Sequence, residues 1–340
     1  MSLTESVYFA EPASCFAPCL PAPAACGRGV LRQRLALRHA GTREVRIAYE
    51  WQGPTQAPVV IVAGGISAHR HVAASTVYPE AGWWDAQAGP GKALDTRHYR
   101  VLAIDWIGSD GSLDFAIDSC DQADAIAALL DLLEVPRAAA FVGCSYGAMV
   151  GLQFAARHGE RLGKLIAISG GDRPHPFASA WRSIQRSIVA LGRSEGGRRE
   201  ALSLARQLAM LSYRTPEEFA ARFAAPVQLH DGTARCASAD YLENCGERYV
   251  ARTSPTAFLR LSESIDLHYV DAASIRVASV VVAFEEDRLV PVETLQALAA
   301  TLGQHCRLER FSSSFGHDAF LTEPLRIATI IRAALQGVSA

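Results

Sequence analysis

The stretch Phe141-Val142-Gly143-Cys144-Ser145-Tyr146-Gly147-Ala148-Met149 constrains this chain more than any other. An apolar run enters Gly-x-Ser-x-Gly and an apolar, helix-like segment leaves it, the pattern of a strand that turns sharply into a helix. Such a turn strains the backbone at Ser145 and lifts its Oγ clear of the sheet. Gly143 and Gly147 are required because neighbouring chain presses on the turn and a Cβ there would clash. The helix that follows aims its first N–H groups at any anion that forms beside Ser145. Cys144 has the chemistry of a nucleophile too, but adjacent side chains on such a turn diverge, and the motif's frame selects Ser145.

The pentapeptide is common; its surroundings are not. Residues 138–142 read as a buried strand, 148–157 as an amphipathic helix and 165–169 as the next strand, which puts the turn inside a βαβ unit. Upstream, 31–38 and 45–51 alternate as an opening hairpin, and 59–63 is a wholly apolar strand ending in Gly64-Gly65. A strand at 98–104 and a helix at 119–133 complete the alternation expected of a mostly parallel sheet flanked by helices. From Pro176 to about Ser264 the rhythm changes to helical patterns (178–191, 200–211, 216–223) with no convincing strand. Strands at 277–284 and 307–311 and a helix at 324–335 then restore the sheet pattern. The expected organisation is an irregular arm over 1–30, a core over 31–175 and 265–340, and an inserted helical cap over 176–264.

With 33 basic and 35 acidic residues in 340, the chain has no charge excess suited to nucleic acid. No run of 18 apolar residues predicts a membrane span, and the first residues lack the basic and apolar regions of a secretory leader, so a cytoplasmic protein is expected. Eight cysteines are too few to staple a fold of this size. The loose group Cys15, Cys19 and Cys26 lacks a following histidine pair at zinc spacing, so free thiols and no metal are expected.

A serine hydroxyl needs a base, and the base needs a partner that fixes its tautomer. In this architecture the chain order is serine, acid, histidine. His317 follows the last strand within Ser314-Phe315-Gly316-His317-Asp318-Ala319-Phe320, whereas His158, His175, His230 and His268 fall on helices or in the cap. Asp287 stands just beyond the apolar strand 277–284, at the end where open sheets place their sites, with Glu286 an alternative on local pattern. Two converging N–H donors must hold the oxyanion: Tyr146, directly after the serine, and Ile66 in the turn Gly64-Gly65-Ile66-Ser67.

Three blocks now take on a family likeness: Gly82-Trp83-Trp84-Asp85 with Gly89-Pro90-Gly91-Lys92-Ala93-Leu94-Asp95-Thr96, the serine turn with Met149, and Gly316-His317-Asp318-Ala319-Phe320-Leu321. Together they resemble the α/β-hydrolase-fold homoserine O-acyltransferases over about 31–335. The resemblance implies transfer of an acetyl or succinyl group from acyl-CoA to the homoserine hydroxyl in methionine biosynthesis, with no bound cofactor. It implies a Ser145, Asp287 and His317 triad, Arg214 on the substrate carboxylate and Asp318 on its ammonium. Serine as acceptor, or a plain esterase on the same triad, are the alternatives. A further cation in the acyl pocket would favour succinyl, with Arg182, Arg186 and Arg252 all candidates. The apolar cap helices could pair two copies across a two-fold axis.

Overall fold

The structure, a computed structural model, describes residues 26–337. Residues 1–25 of the arm expected over 1–30, with Cys15 and Cys19, lie outside the described residues. Strands β1 (Cys26–Leu37) and β2 (Gly41–Gln52) form the opening hairpin, and β1 begins at Cys26 rather than after an arm ending at residue 30. The short apolar strands β3 (Val59–Ala63) and β4 (Arg100–Ile104) are buried at every position. Helix α1 (Ser119–Leu132) begins where the sequence reading places it and is capped by Asp118. Asp118 accepts from the Cys120 N–H while the Asp121 carboxylate accepts from the Asp118 N–H. Then follow β5 (Ala140–Cys144), α2 (Tyr146–Arg157) and β6 (Lys164–Ile168).

The insertion holds α3 (Pro176–Leu191), α4 (Glu195–Tyr213), α5 (Pro216–Arg222), α6 (Ala237–Val250) and α7 (Pro255–Leu267). It is not strand-free. An exposed two-stranded hairpin, β7 (Gln228–His230) and β8 (Thr233–Arg235), turns at Asp231-Gly232 with both residues at positive φ. Its three-residue strands are too short to show alternation. Helix α7 also runs past the expected boundary at 264. Strand β9 (Ala278–Phe284), α8 (Val292–Leu302), β10 (Cys306–Phe311), the single turn α9 (Ala319–Thr322) and α10 (Pro324–Leu335) close the chain.

The eight core strands lie in the order β1-β2-β4-β3-β5-β6-β9-β10, parallel from β4 onward and antiparallel at the opening hairpin. Apolar side chains cover both faces, one cluster containing Ile126, Leu152 and Leu298, the other Trp84, Ile327 and Ile331. A sheet buried on both faces sets the carboxyl ends of β3, β5, β6 and β9 beneath the cap, where the loops carrying Ile66, Ser145, Ser169 and Asp287 emerge. Among the described residues no helix is long and apolar enough to cross a membrane.

Candidate active site

Ser145 sits between β5 and α2 at φ 55° and ψ −117°, a left-handed conformation that costs a non-glycine residue about 1–3 kcal/mol. The surroundings hold it there. The Gly147 N–H donates to the Gly64 carbonyl at 3.0 Å, and a Cβ at 147 would overlap the Ala63 and Gly64 carbonyl oxygens. A Cβ at 143 would run into the backbone of Gly147. Cys144 is fully buried in the core cluster on the far face, and burial holds its thiol well above its ordinary pKa. The turn thus presents one nucleophilic side chain.

His317 meets it from the loop after β10. Its Nε2 lies 2.7 Å from Ser145 Oγ and its Nδ1 lies 2.7 Å from Asp287 Oδ2. A carboxylate accepts only, so Nδ1 carries the proton and Nε2 is left to accept from the serine hydroxyl. Asp287 is itself fixed, because its Oδ1 accepts from the Leu289 and Val290 N–H groups at 2.9 and 3.0 Å. Burial pulls the His317 pKa down, but the adjacent Asp287 carboxylate outweighs it and the imidazole ends above its ordinary value. Gly316, at φ 58°, lets this loop pass close under the cap, with the Tyr213 carbonyl and Thr215 side chain against it. Thr215 also donates to the Ser314 carbonyl. The cap therefore grips the loop that carries the base.

The alternative acid Glu286 faces away from the imidazole. It accepts from Ser312 Oγ at 2.5 Å and the Ser313 N–H at 2.6 Å, and so ties the histidine loop to β9. His268 is buried between Ser119 Oγ (2.6 Å) and the Gly171 carbonyl (3.0 Å), and burial pulls it down to about 4. It anchors the return from the cap. His175 caps α3 and lines the site, a position its sequence context does not reveal.

Ile66 and Tyr146 flank the serine, and among the described residues neither N–H has a protein acceptor. The Gly65 backbone lies beside the Ser145 side chain. Trp106 stabilises this arrangement from below. Its Nε1–H donates to the Gly65 carbonyl at 3.1 Å, and its ring stands edge-on to the Tyr146 ring at 4.9 Å. The Tyr146 hydroxyl is held by Ser264 Oγ at 2.5 Å.

Two cavities meet at Ser145, His317, Ile66 and Tyr213. The inner one, about 60 Å³, runs under α3 and is lined by Trp181, Arg182 and Gln185. The outer one, about 450 Å³, carries Arg214 and Asp318 with Arg206, Arg248 and Arg252. Arg214 and Asp318, from segments far apart in sequence, pair with each other: Nε and Oδ2 are 3.0 Å apart, and Arg214 also donates to Glu218. Burial raises the Asp318 pKa against the pull of Arg214 and His317. Arg214 ends α4 as its C-cap and is mostly buried rather than solvated. Sequence reasoning missed Tyr213, whose ring lies 6.0 Å from that of His317 in a near-parallel stack, and Gln185. Helical periodicity marks both as facing inward but says nothing of what they face.

A family model described as the alpha/beta hydrolase fold matches residues 58–324. A homoserine O-succinyltransferase of Xanthomonas campestris pv. campestris is 57% identical over 309 residues, 91% of this chain and 84% of that protein. A homoserine O-acetyltransferase of Symbiobacterium thermophilum is 32% identical over 87% of this chain and 90% of its own. The crystal structure of a homoserine O-acetyltransferase from Bacillus anthracis superposes with a TM-score of 0.84 at 15% identity, covering 93% of this chain and 99% of that one, a likeness of fold. The chain belongs to the α/β-hydrolase-fold homoserine O-acyltransferases.

Proposed function

We propose that this family member transfers an acetyl or succinyl group from an acyl-CoA to the side-chain hydroxyl of homoserine, through an acyl group carried on Ser145. The observation that carries the reading is the unbroken relay from Asp287 through His317 to Ser145 at the junction of two cavities, one of them holding an Arg214–Asp318 pair.

His317 Nε2 takes the Ser145 proton as Oγ attacks the thioester carbonyl. The Tyr146 and Ile66 N–H groups receive the oxyanion. The C–S bond then breaks, and the proton on His317 leaves with the CoA sulfur. Homoserine enters with its carboxylate toward Arg214 and its ammonium toward Asp318, each exchanging a protein partner for a substrate one of the same sign. Its hydroxyl gives a proton to His317 and attacks the acyl carbon; the Oγ–C bond breaks and Ser145 recovers the proton. Transfer outruns hydrolysis because the cap covers the site and orients the amino acid before water reaches it. The imidazole, carboxylate and two amides supply every step, so the chemistry calls for no metal or resident cofactor.

The reading extends to small-molecule partners only, in the cytoplasm, where free thiols such as Cys120 and Cys144 stay reduced. It also includes a homodimer. Phe177, Ile184 and Leu191 are exposed at seven-residue spacing along α3, a stripe suited to a second copy.

The test supplies acetyl-CoA or succinyl-CoA with homoserine or serine and follows products by mass. O-acylhomoserine formed with parallel-line initial rates supports the reading. CoA release at a rate indifferent to either amino acid, with no ester product, makes the protein a hydrolase instead.

A further inference from the structure

The loop that carries the base is held from two sides. On the sheet side Glu286 fastens its start, accepting from Ser312 Oγ and the Ser313 N–H. Ser313 Oγ donates to Glu323, and the Phe315 and Gly316 N–H groups turn back onto Ser313. From Ser314 to Gly316, among the described residues, the only hydrogen bond from outside the loop comes from the cap, where the Thr215 hydroxyl donates to the Ser314 carbonyl.

That hydroxyl is not free to do anything else. Thr215 is 2% exposed and is the N-cap of α5, its Oγ1 accepting from the Glu218 N–H at 3.1 Å. A hydroxyl has one proton, and with the acceptor side engaged by the helix that proton is aimed at Ser314. The methyl group of Thr215 covers the glycine, and a Cβ at 316 would stand 3.2 Å from it. Between the Ser314 carbonyl and the imidazole stands Gly316 at φ 58°, a residue that pivots easily unless a neighbour stops it.

The two preceding cap residues meet the same loop in a different way. Tyr213 stacks beside His317 and Arg214 pairs with Asp318, and both line the outer cavity. Thr215 lines neither cavity, so its proton serves the protein alone and not a ligand. Loss of Arg214 removes a charge from the acceptor; loss of the Thr215 hydroxyl releases the chain that places the base. A reacting group displaced by about 1 Å can lose roughly 100-fold in rate.

We infer that Thr215 is a positioning residue for the catalytic base: its hydroxyl stops the Gly316 pivot where His317 Nε2 meets Ser145, so the cap as well as the sheet aligns the relay. This role deepens the acyl-transfer reading and rests on it for the identity of the donor. It makes Thr215 a cap residue that acts on acylation, before any amino acid has bound.

The test follows CoA release from acetyl-CoA and succinyl-CoA in the absence of amino acid, and then the homoserine KM, in the natural protein, Thr215→Val, Thr215→Asp and Thr215→Ser. Valine keeps the methyl contact and loses both hydrogen bonds. Aspartate still caps α5 but has no proton for Ser314, whereas serine keeps both bonds. Valine and aspartate should each slow acylation by about 10-fold to 100-fold, with serine within about 3-fold of the natural protein. The acid limb of acylation in Thr215→Val should also move to lower pH, because an imidazole drawn away from Asp287 loses the charge that raises it. Acylation at the natural rate in Thr215→Asp overturns the inference, since capping α5 is then all that Thr215 does. A change confined to the homoserine KM overturns it too, and so does a slowed Thr215→Val whose acid limb stays in place, the mark of a general loss of structure. The same variants acylated by p-nitrophenyl acetate keep the two readings apart. No CoA release by the natural protein from either CoA ester would sink the acyl-transfer reading, and the order of the variants with the simple ester would still decide the role of Thr215.

Discussion

Beneath Ser145, strands β3 and β5 are buried at every position; above it, the cap helices α3 and α4 leave Ile184, Leu191, Leu204 and Leu211 in solvent. The first region fixes backbone. Gly143 and Gly147 admit no Cβ, Ser145 is held at positive φ, and the oxyanion turn is pinned by Gly64, Gly65 and Trp106. The second region places side chains. Its small core of Val189, Leu202, Ala205, Tyr249 and Phe258 orients helices whose inward faces carry Arg182, Gln185, Tyr213 and Arg214. On the proposed acyl-transfer reading, the same division separates the chemistry of the relay from the binding of the acceptor.

Substitutions should sort along that line. Asp287→Asn, in the sheet region, should depress both half-reactions together, by about 10⁴-fold in kcat, because the imidazole loses its fixed tautomer. The pH profile sharpens the point. His317 must be neutral to take the serine proton, and its pKa is raised, so the acid limb of acylation should lie above the ordinary histidine value of about 6.5. Removing the Asp287 charge should move the limb of the residual activity to lower pH. A limb that stays in place would separate the base from this relay.

Arg214→Gln, at the cap edge, should act on one half-reaction. The homoserine KM should rise by about 10²-fold and a larger share of acyl-enzyme should be lost to water, because the acceptor carboxylate loses its charged partner. An equal loss in acylation by the donor would erase the distinction between the two regions. Trp106→Phe keeps the ring against Tyr146 but deletes one hydrogen bond to Gly65. At about 1 kcal/mol, that should slow both half-reactions by roughly 5-fold.

The contrast also explains what the sequence disclosed. Ser145, Asp287 and His317 could be found because each stands at a strand end marked by an apolar run, and because glycine at 143, 147 and 316 has a backbone reason. The other sheet strands were legible for the same cause, with ends within two residues of those observed, whereas β1 and β2 of the opening hairpin begin five and four residues before the expected starts at 31 and 45. The β7–β8 hairpin and the helices α6, α7 and α8 were not. The hairpin's three-residue strands are too short to show alternation, whereas the helices do carry a helical period, as at Leu295, Leu298 and Leu302 of α8, that the reading did not use. Nor could the sequence disclose that Arg214 and Asp318 touch, or that Arg182 and Arg186 share Asp266. Pairings between side chains so distant along the chain depend on how the cap sits on the sheet, which no local pattern encodes. Of the residues around the serine, Tyr146 lines the inner cavity, whereas Cys144, Ala148 and Trp106 support the turn from the core.

The most direct measurement is the mass of the intact protein after brief mixing with an acyl-CoA in the absence of amino acid, followed by mapping of the modified peptide. The expected result is one added acyl group on Ser145, discharged by homoserine and absent from Ser145→Ala. Acylation that persists in Ser145→Ala, or transfer to homoserine with no acylated protein at any time, would contradict the account.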